Sequence, residues 1–252
     1  MKSKMKKIKV WFRTALGLIK RPQSLFYRLD DFVFMSDEEV LLYLKNNKKG
    51  IVRYGSGENG YLVGYPRPHQ KHDKRLEKKT KDILKNWKKD LNENNYLLTL
   101  PLDSVLGVNW EERNLQGKVW RGVMSYSLLP FLKKNHVYGS PFCFRLKDAI
   151  YKNKERYVSL IKDLFKDKDI IYVGPEKEFE VMFEPVEFIK IPPKDVFDRY
   201  EELKNEIKEK AKKYNDPLVV ITAGVAATAL SAELNDEGIL TYDAGSIFRW
   251  YK

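Results

Sequence analysis

An α/β fold, with a mostly parallel sheet covered by helices, is the architecture this sequence predicts. Two observations carry it. Segments of strand and helix character alternate through the second half of the chain, and "PLVVITAG" at Pro217–Gly224 is apolar almost throughout. A strand covered by helices on both faces reads as such a run, whereas a half-exposed strand alternates polar and apolar positions. At 252 residues the chain suits one large domain, and neither an internal repeat nor a flexible linker divides it.

Element by element, the chain opens on a basic arm. Lys2, Lys4, Lys6, Lys7, Lys9, Arg13, Lys20 and Arg21 stand without an acid among them, and Ile8, Trp11, Phe12, Ala15 and Ile19 recur at helical spacing. The apolar run is broken by Arg13 and is too short to span a bilayer. No small-residue cleavage site follows, so a secretion signal is not expected. Residues 1–35 are therefore read as a basic amphipathic arm and residues 36–252 as a single α/β domain. For residues 1–30 two partners stay open, an anionic membrane surface and a partner enzyme.

Ser36 with Glu39 three residues later forms a capping box for the helix "DEEVLLYLKNN", and Gly50 is expected to stop it. Ile51–Tyr54 reads as a short strand entering "GSGENG". Lys71–Leu91 reads as a charged helix with Leu76, Ile83, Leu84 and Trp87 inside, and Tyr96–Leu100 as a strand closed by Pro101. The aromatic-rich stretch from Asp103 to Arg145 carries no clear period. Asp169–Pro175 and Val186–Pro193 are strands, and Asp195–Lys213 is an amphipathic helix. After the strand at Pro217–Gly224 come a small-residue helix, Val225–Asn235, and a last strand, Gly238–Gly245.

Three strand-to-helix loops are candidates for chemistry, because ligands of open α/β sheets bind beyond the carboxyl ends of strands. In the first, Arg53 precedes Gly55-Ser56-Gly57-Glu58; glycine amides can cradle an anion, and Glu58 can act as a base or hold a cation. A plain turn explains the same glycines equally well. In the second, Gly224 opens a helix whose free amides favour a phosphate, with Ala227 and Thr228 in its first turn. The third holds Asp243, Gly245 and Ser246. His69, His72 and His136 make no metal spacing with an acidic pair.

The chain carries 47 basic and 35 acidic residues, a formal net charge of +12, which favours polyanionic neighbours without choosing among them. A nucleic-acid-binding role is the least favoured alternative, motivated by this charge alone, since no RRM, OB, KH or helix-turn-helix pattern is present. One cysteine, Cys143, excludes an internal disulfide framework and fits a reducing, cytoplasmic compartment, with the inner face of the membrane as the alternative place if the arm takes the membrane as its partner.

Taken together, the three loops resemble the bacterial glycosyltransferases of the GT-D fold, the former DUF1792 group. Arg53-Tyr54-Gly55-Ser56-Gly57-Glu58 is similar to the family's R-[FY]-G-D-G-E. Gln70, His72, Asp73 and Leu76 follow its YQ-x-YD-x-x-L element, and Asp195 with Phe197 its P-x-x-N-A-F element. "ITAGVAATALSAEL" and "GILTYDAGSI" match its last two motifs. The resemblance implies a Rossmann-like sheet of the GT-D type and transfer of a hexose from a nucleotide sugar, typically UDP-glucose, to a glycan or glycoprotein. It also implies that Gly55, Gly57 and Glu58 line the donor site, with Glu58 catalytic. Gly224, Ala227 and Thr228 would then sit near the diphosphate, and Asp243 and Gly245 would close the pocket.

The family holds a divalent metal, Mn2+ or Mg2+, near its Asp-x-Glu. Here Ser56 stands in place of that Asp and Ser246 in place of a His, and Ser140 runs directly into Pro141 where an Arg is expected between them. A hydroxyl replaces a carboxylate poorly at a hard cation. Transfer without a metal is therefore one expectation, with Arg53, Arg145 and Lys194 neutralising the diphosphate; Glu58 is the remaining metal ligand in the other. The alternative from another class is a non-catalytic sugar- or nucleotide-binding partner of an active glycosyltransferase.

Overall fold

The computed structural model describes residues 31–64, 69–102, 125–144, 154–175 and 183–245. Residues 1–30, Arg145 and Ser246 lie outside them. Eight strands form one sheet: β1 (Val33–Met35), β2 (Gly50–Arg53), β3 (Tyr96–Thr99), β4 (Val137–Gly139), β5 (Asp169–Gly174), β6 (Glu187–Lys190), β7 (Pro217–Ile221) and β8 (Thr241–Asp243). Among the described residues, α-helices α1 (Asp37–Asn47), α2 (Ser56–Leu62), α3 (Lys74–Asn86), α4 (Lys154–Phe165), α5 (Tyr200–Ala211) and α6 (Val225–Asp236) accompany them. The strand order is β1-β4-β3-β2-β8-β7-β5-β6, and every described pairing is parallel.

Alternate residues of the central strands serve opposite faces, as the two-residue period requires. Ile170 and Tyr172 of β5 and Leu218 and Val220 of β7 pack in one core with Leu41 and Leu44 of α1 and Ile161 of α4. Ile171, Val173, Val219 and Ile221 pack in the other, with Leu203 and Ile207 of α5 and Leu230 of α6. The unbroken apolar run of β7 is thus the mark of a strand with helices on both sides.

At α1 the capping box forms as expected: Ser36 N donates to Glu39 Oε2 (2.7 Å) and Glu39 N to Ser36 Oγ (3.4 Å). Gly50 does not end that helix. Lys48 does, in the left-handed conformation (φ 48°), and Gly50 opens β2 instead. A Cβ at Gly50 would overlap the side-chain amide of Asn235. That amide donates to the carbonyls of Ser231 (2.7 Å) and Thr241 (2.9 Å) and accepts from Thr241 N (3.0 Å), fastening α6 to β8. Gly50→Ala should lower unfolding free energy by about 2–4 kcal/mol through overpacking and lost buried hydrogen bonds. A urea midpoint unchanged from wild type would contradict this.

Other boundaries also move. The helix expected over Asp195–Lys213 begins as a 3-10 turn, Val196–Arg199, and becomes α-helical only at Tyr200. Lys71–Leu91 shortens to α3, N-capped by Asp73, whose side chain accepts from Arg75 N (2.7 Å). The strand β1 pairs with β4, so the sheet begins at Val33. No helix among the described residues is long and apolar enough to cross a membrane.

Candidate active site

Strand order decides where the three loops meet. β8 lies between β2 and β7, with Tyr242 opposite Ile51 and Asp243 opposite Ile221. The carboxyl ends of the three strands therefore stand side by side, and so do the loops at Gly55, Gly224 and Gly245. From β2 the chain moves to β3 on one side, while β8 is reached from β7 on the other. Such a reversal opens a crevice at the carboxyl edge of a parallel sheet.

The first loop is braced from within. Glu58, partly exposed in the first turn of α2, accepts a hydrogen bond from Gly55 N on Oε2 (2.8 Å). Asn59 is fully buried; its amide donates to Gly55 O (2.8 Å), and its Oδ1 accepts from Ser127 Oγ (3.1 Å). Sequence reasoning passed over Asn59 and Ser127. A polar residue four positions after Gly55 was a usable signal for the first, but nothing local linked it to Ser127. A Cβ at Gly57 would meet open space, and Ser56 contributes the first residue of α2.

The second loop turns at Gly224, whose φ 57° and ψ −139° suit glycine alone. No side chain caps α6. Ala227 N folds back onto Gly224 O (2.9 Å), leaving the amides of Val225 and Ala226 as the donors at the helix start. A Cβ on Gly224 would meet nothing within 4 Å, so this turn borders open space.

Beneath these loops lies a buried polar cluster. Arg53 (6% exposed) donates from Nε to Pro141 O (2.8 Å), and its Nη1 is 3.8 Å from Asp243 Oδ1. Asp243 (3% exposed) also accepts from Gly245 N (3.1 Å), while its Oδ2 lies 3.4 Å from Thr228 Oγ1. The Thr228 hydroxyl, wholly buried, donates to Arg53 O (3.1 Å). At Gly245 (φ 58°) the Arg53 guanidinium fills the space a Cβ would need. Arg53 and Thr228 are thus turned into the fold, where their contacts brace the loops.

Burial first, and the Glu58 charge second among the forces acting upward, push Asp243 to about 7 against the pull of Arg53 and two backbone amides. Its carboxyl is raised from 3.8, so the unfolded chain loses this proton at lower pH than the native one. The associated stability is fully present below pH 3.8 and is lost as pH rises through about 7. Relative to Asp243→Asn, the wild type should lose unfolding free energy as pH rises above 3.8 and level off above about 7. A pH-independent difference in urea titrations would refute the assignment.

Two further motifs dock on each other nearby. Asp195 (φ 55°) accepts from Lys71 N (2.6 Å) and pairs with Lys71 Nζ (3.0 Å). Phe197 N donates to Gln70 Oε1 (3.2 Å). Tyr61, at the end of α2, accepts from Asp73 N (2.6 Å) and stacks on His72. The segment 69–73 is thereby clamped between α2 and the turn after β6. Lys194 lies exposed in that turn, beside Asp195 at the sheet edge. No described hydrogen bond or ion pair joins it to Glu58 or Asp243.

The donor set is a poor match for a divalent ion held by the protein alone. No group of three or more His, Cys, Asp or Glu converges among the described residues. Asp243 is buried, hydrogen-bonded and beside a guanidinium, which disfavours metal ligation. Glu58 is left as one carboxylate, with one of its oxygens already accepting from Gly55 N.

The model of the glycosyltransferase GT-D fold matches residues 51–252. The chain belongs to this family. GT-D relatives show the same architecture. One solved structure, described as domain of unknown function 1792 with a distinct glycosyltransferase fold, superposes with a TM-score of 0.71 at 24% identity, over 89% of this chain and 83% of that one. A selenomethionine form of a DUF1792 domain gives 0.71 at 26% identity, with the same coverage. A glycosyltransferase of the DUF1792 group from Streptococcus sanguinis gives 0.68 at 20%, over 87% and 83% of the two chains. The curated relative "Probable glycosyl transferase Gly" of Streptococcus gordonii is 24% identical over 234 residues, 86% of this chain. The match covers 33% of that protein, so this chain corresponds to about a third of its length.

Proposed function

We propose that this GT-D glycosyltransferase moves a hexose from a nucleotide-sugar donor of the UDP class to a glycan or glycoprotein acceptor. The observation that carries the reading is the meeting of the Gly55, Gly224 and Gly245 loops over the carboxyl ends of β2, β7 and β8. In this reading the diphosphate sits at the start of α6, where the Val225 and Ala226 amides and the helix dipole offset its charge. Gly57 and Gly224 leave room for the donor, since side chains there would enter open space. Glu58 is the carboxylate that faces the sugar, as base or as electrostatic partner of the developing positive charge. Arg53, Asp243, Thr228 and Asn59 hold the loops in place.

Leaving-group charge is neutralised by backbone amides, and we place no metal-dependent step in the reaction. A donor screen by thermal shift, with UDP-, GDP- and dTDP-sugars in manganese and in EDTA, tests both parts. UDP-sugars should raise the melting midpoint in EDTA as they do in manganese. Stabilisation that vanishes on chelation would overturn the metal-independent part, and preference for another nucleotide would overturn the UDP assignment. A second reading, a non-catalytic sugar-binding partner of an active transferase, is favoured by Ser56 at the family's Asp position. Donor binding with neither hydrolysis nor transfer by the isolated chain would select it.

A further inference from the structure

Charge on this chain is distributed unevenly. Residues 71–89 hold nine lysines and arginines against three acids, Asp73, Glu77 and Asp82. Together with the eight basic residues between Lys2 and Arg21, this segment exceeds the whole net charge of +12, so the remainder is slightly acidic.

The structure turns that composition into a surface. On α3 the buried residues Leu76, Thr80 and Leu84 face the core. Lys74, Lys78, Lys81 and Lys85 recur at spacings of four, three and four, within about 60° of arc at 3.6 residues per turn. They form a straight stripe about 17 Å long on the side away from the core. Lys74 and Lys78 are exposed and form no ion pair among the described residues, and Lys85 is 58% exposed with only a 3.6 Å contact to Asp82. Lys81 is tied to Glu77, at the edge of the stripe. The acids of neighbouring helices are drawn elsewhere: Glu233 and Glu201 pair with Lys79, toward the inner flank.

We infer that this face of α3 docks on anionic phospholipid headgroups. A row of four ammonium groups on flexible stems, Lys74 and Lys78 among them outside any described ion pair, suits a fluid plane of negative charge, each worth a similar increment near such a surface. Single-stranded nucleic acid would require aromatic platforms within a basic groove. The stripe contains no aromatic residue and lies on a convex helix; Trp87, two residues beyond it, is buried, and the His72 ring, two residues before it, is stacked on Tyr61. The helix also begins beside the clamped segment 69–73, at the carboxyl edge of the sheet. Lying along α3, a membrane would run past the mouth of the candidate site. The inference is independent of the sugar-transfer reading.

The test is co-sedimentation of the full chain with vesicles of phosphatidylcholine and about one-third phosphatidylglycerol, beside neutral vesicles. Lys74→Glu with Lys78→Glu is compared with Lys166→Glu and Lys190→Glu, an equal charge change at exposed positions after α4 and on the edge strand β6. The stripe variant should lose at least about 30-fold in vesicle affinity, the effect of removing two ammonium groups, and the control about threefold or less. Neutral vesicles should not bind, and melting midpoints should stay unchanged. Lys74→Gln with Lys78→Gln serves if charge reversal perturbs folding, with a smaller loss in the same direction. Equal losses in stripe and control variants, or no loss in the stripe variant, overturn the inference. So does a loss confined to single-stranded RNA binding, measured in parallel.

Discussion

Glu58→Gln is expected to lower sugar transfer by about two to four orders of magnitude while leaving the fold intact. The amide keeps an oxygen able to accept from Gly55 N, so the 2.8 Å brace of the glycine loop can persist without the charge. Donor affinity, read by thermal shift or calorimetry, should change little if the charge acts mainly in the transition state. Glu58→Ala removes the brace as well, and should weaken donor binding in addition. Undiminished turnover in Glu58→Gln would refute the catalytic assignment.

Asp243→Ala should be the most damaging change in the polar cluster, costing about 3 kcal/mol or more of folding stability. It leaves the Arg53 guanidinium buried with only Pro141 O and no carboxylate, and it removes the acceptor of the partly buried Gly245 amide. Asp243→Asn retains an acceptor for Gly245 N and should cost clearly less. Chemical denaturation of the two variants at one pH reads the difference. If the two variants are equally stable, the hydrogen bond from Gly245 N contributes little and the loss belongs to the ion pair with Arg53. Because Asp243, Arg53 and Thr228 share contacts, substitutions among them should not add.

Both predictions turn on side chains whose residue types were legible in sequence and whose tasks were not. Arg53 precedes the glycine loop and suggested a partner for a diphosphate. In the fold, β2 directs it beneath the loop toward Asp243 and Pro141, residues 190 and 88 positions away in sequence. Thr228 in the first turn of α6 suggested a hydroxyl for a ligand; helical phase instead points it down at Arg53 O. Gly50 suggested a helix stop, yet its constraint comes from Asn235 of α6, packed directly on β2. No local pattern encodes contacts of this kind.

By itself the sequence determined the fold class, the capping box at Ser36, the doubly buried strand β7 and the identity of the three glycine loops. These follow from short-range chemistry: apolar runs, spacing of three and four, and the few residues able to turn a chain. It did not determine β1 and β4, three-residue strands too short to show a period. Nor did it determine that β8 inserts between β2 and β7, which is what makes one site of three separate loops. Strand order and side-chain direction are set by long-range pairing and packing, where a residue's partners are chosen by the whole core and not by its neighbours in the chain.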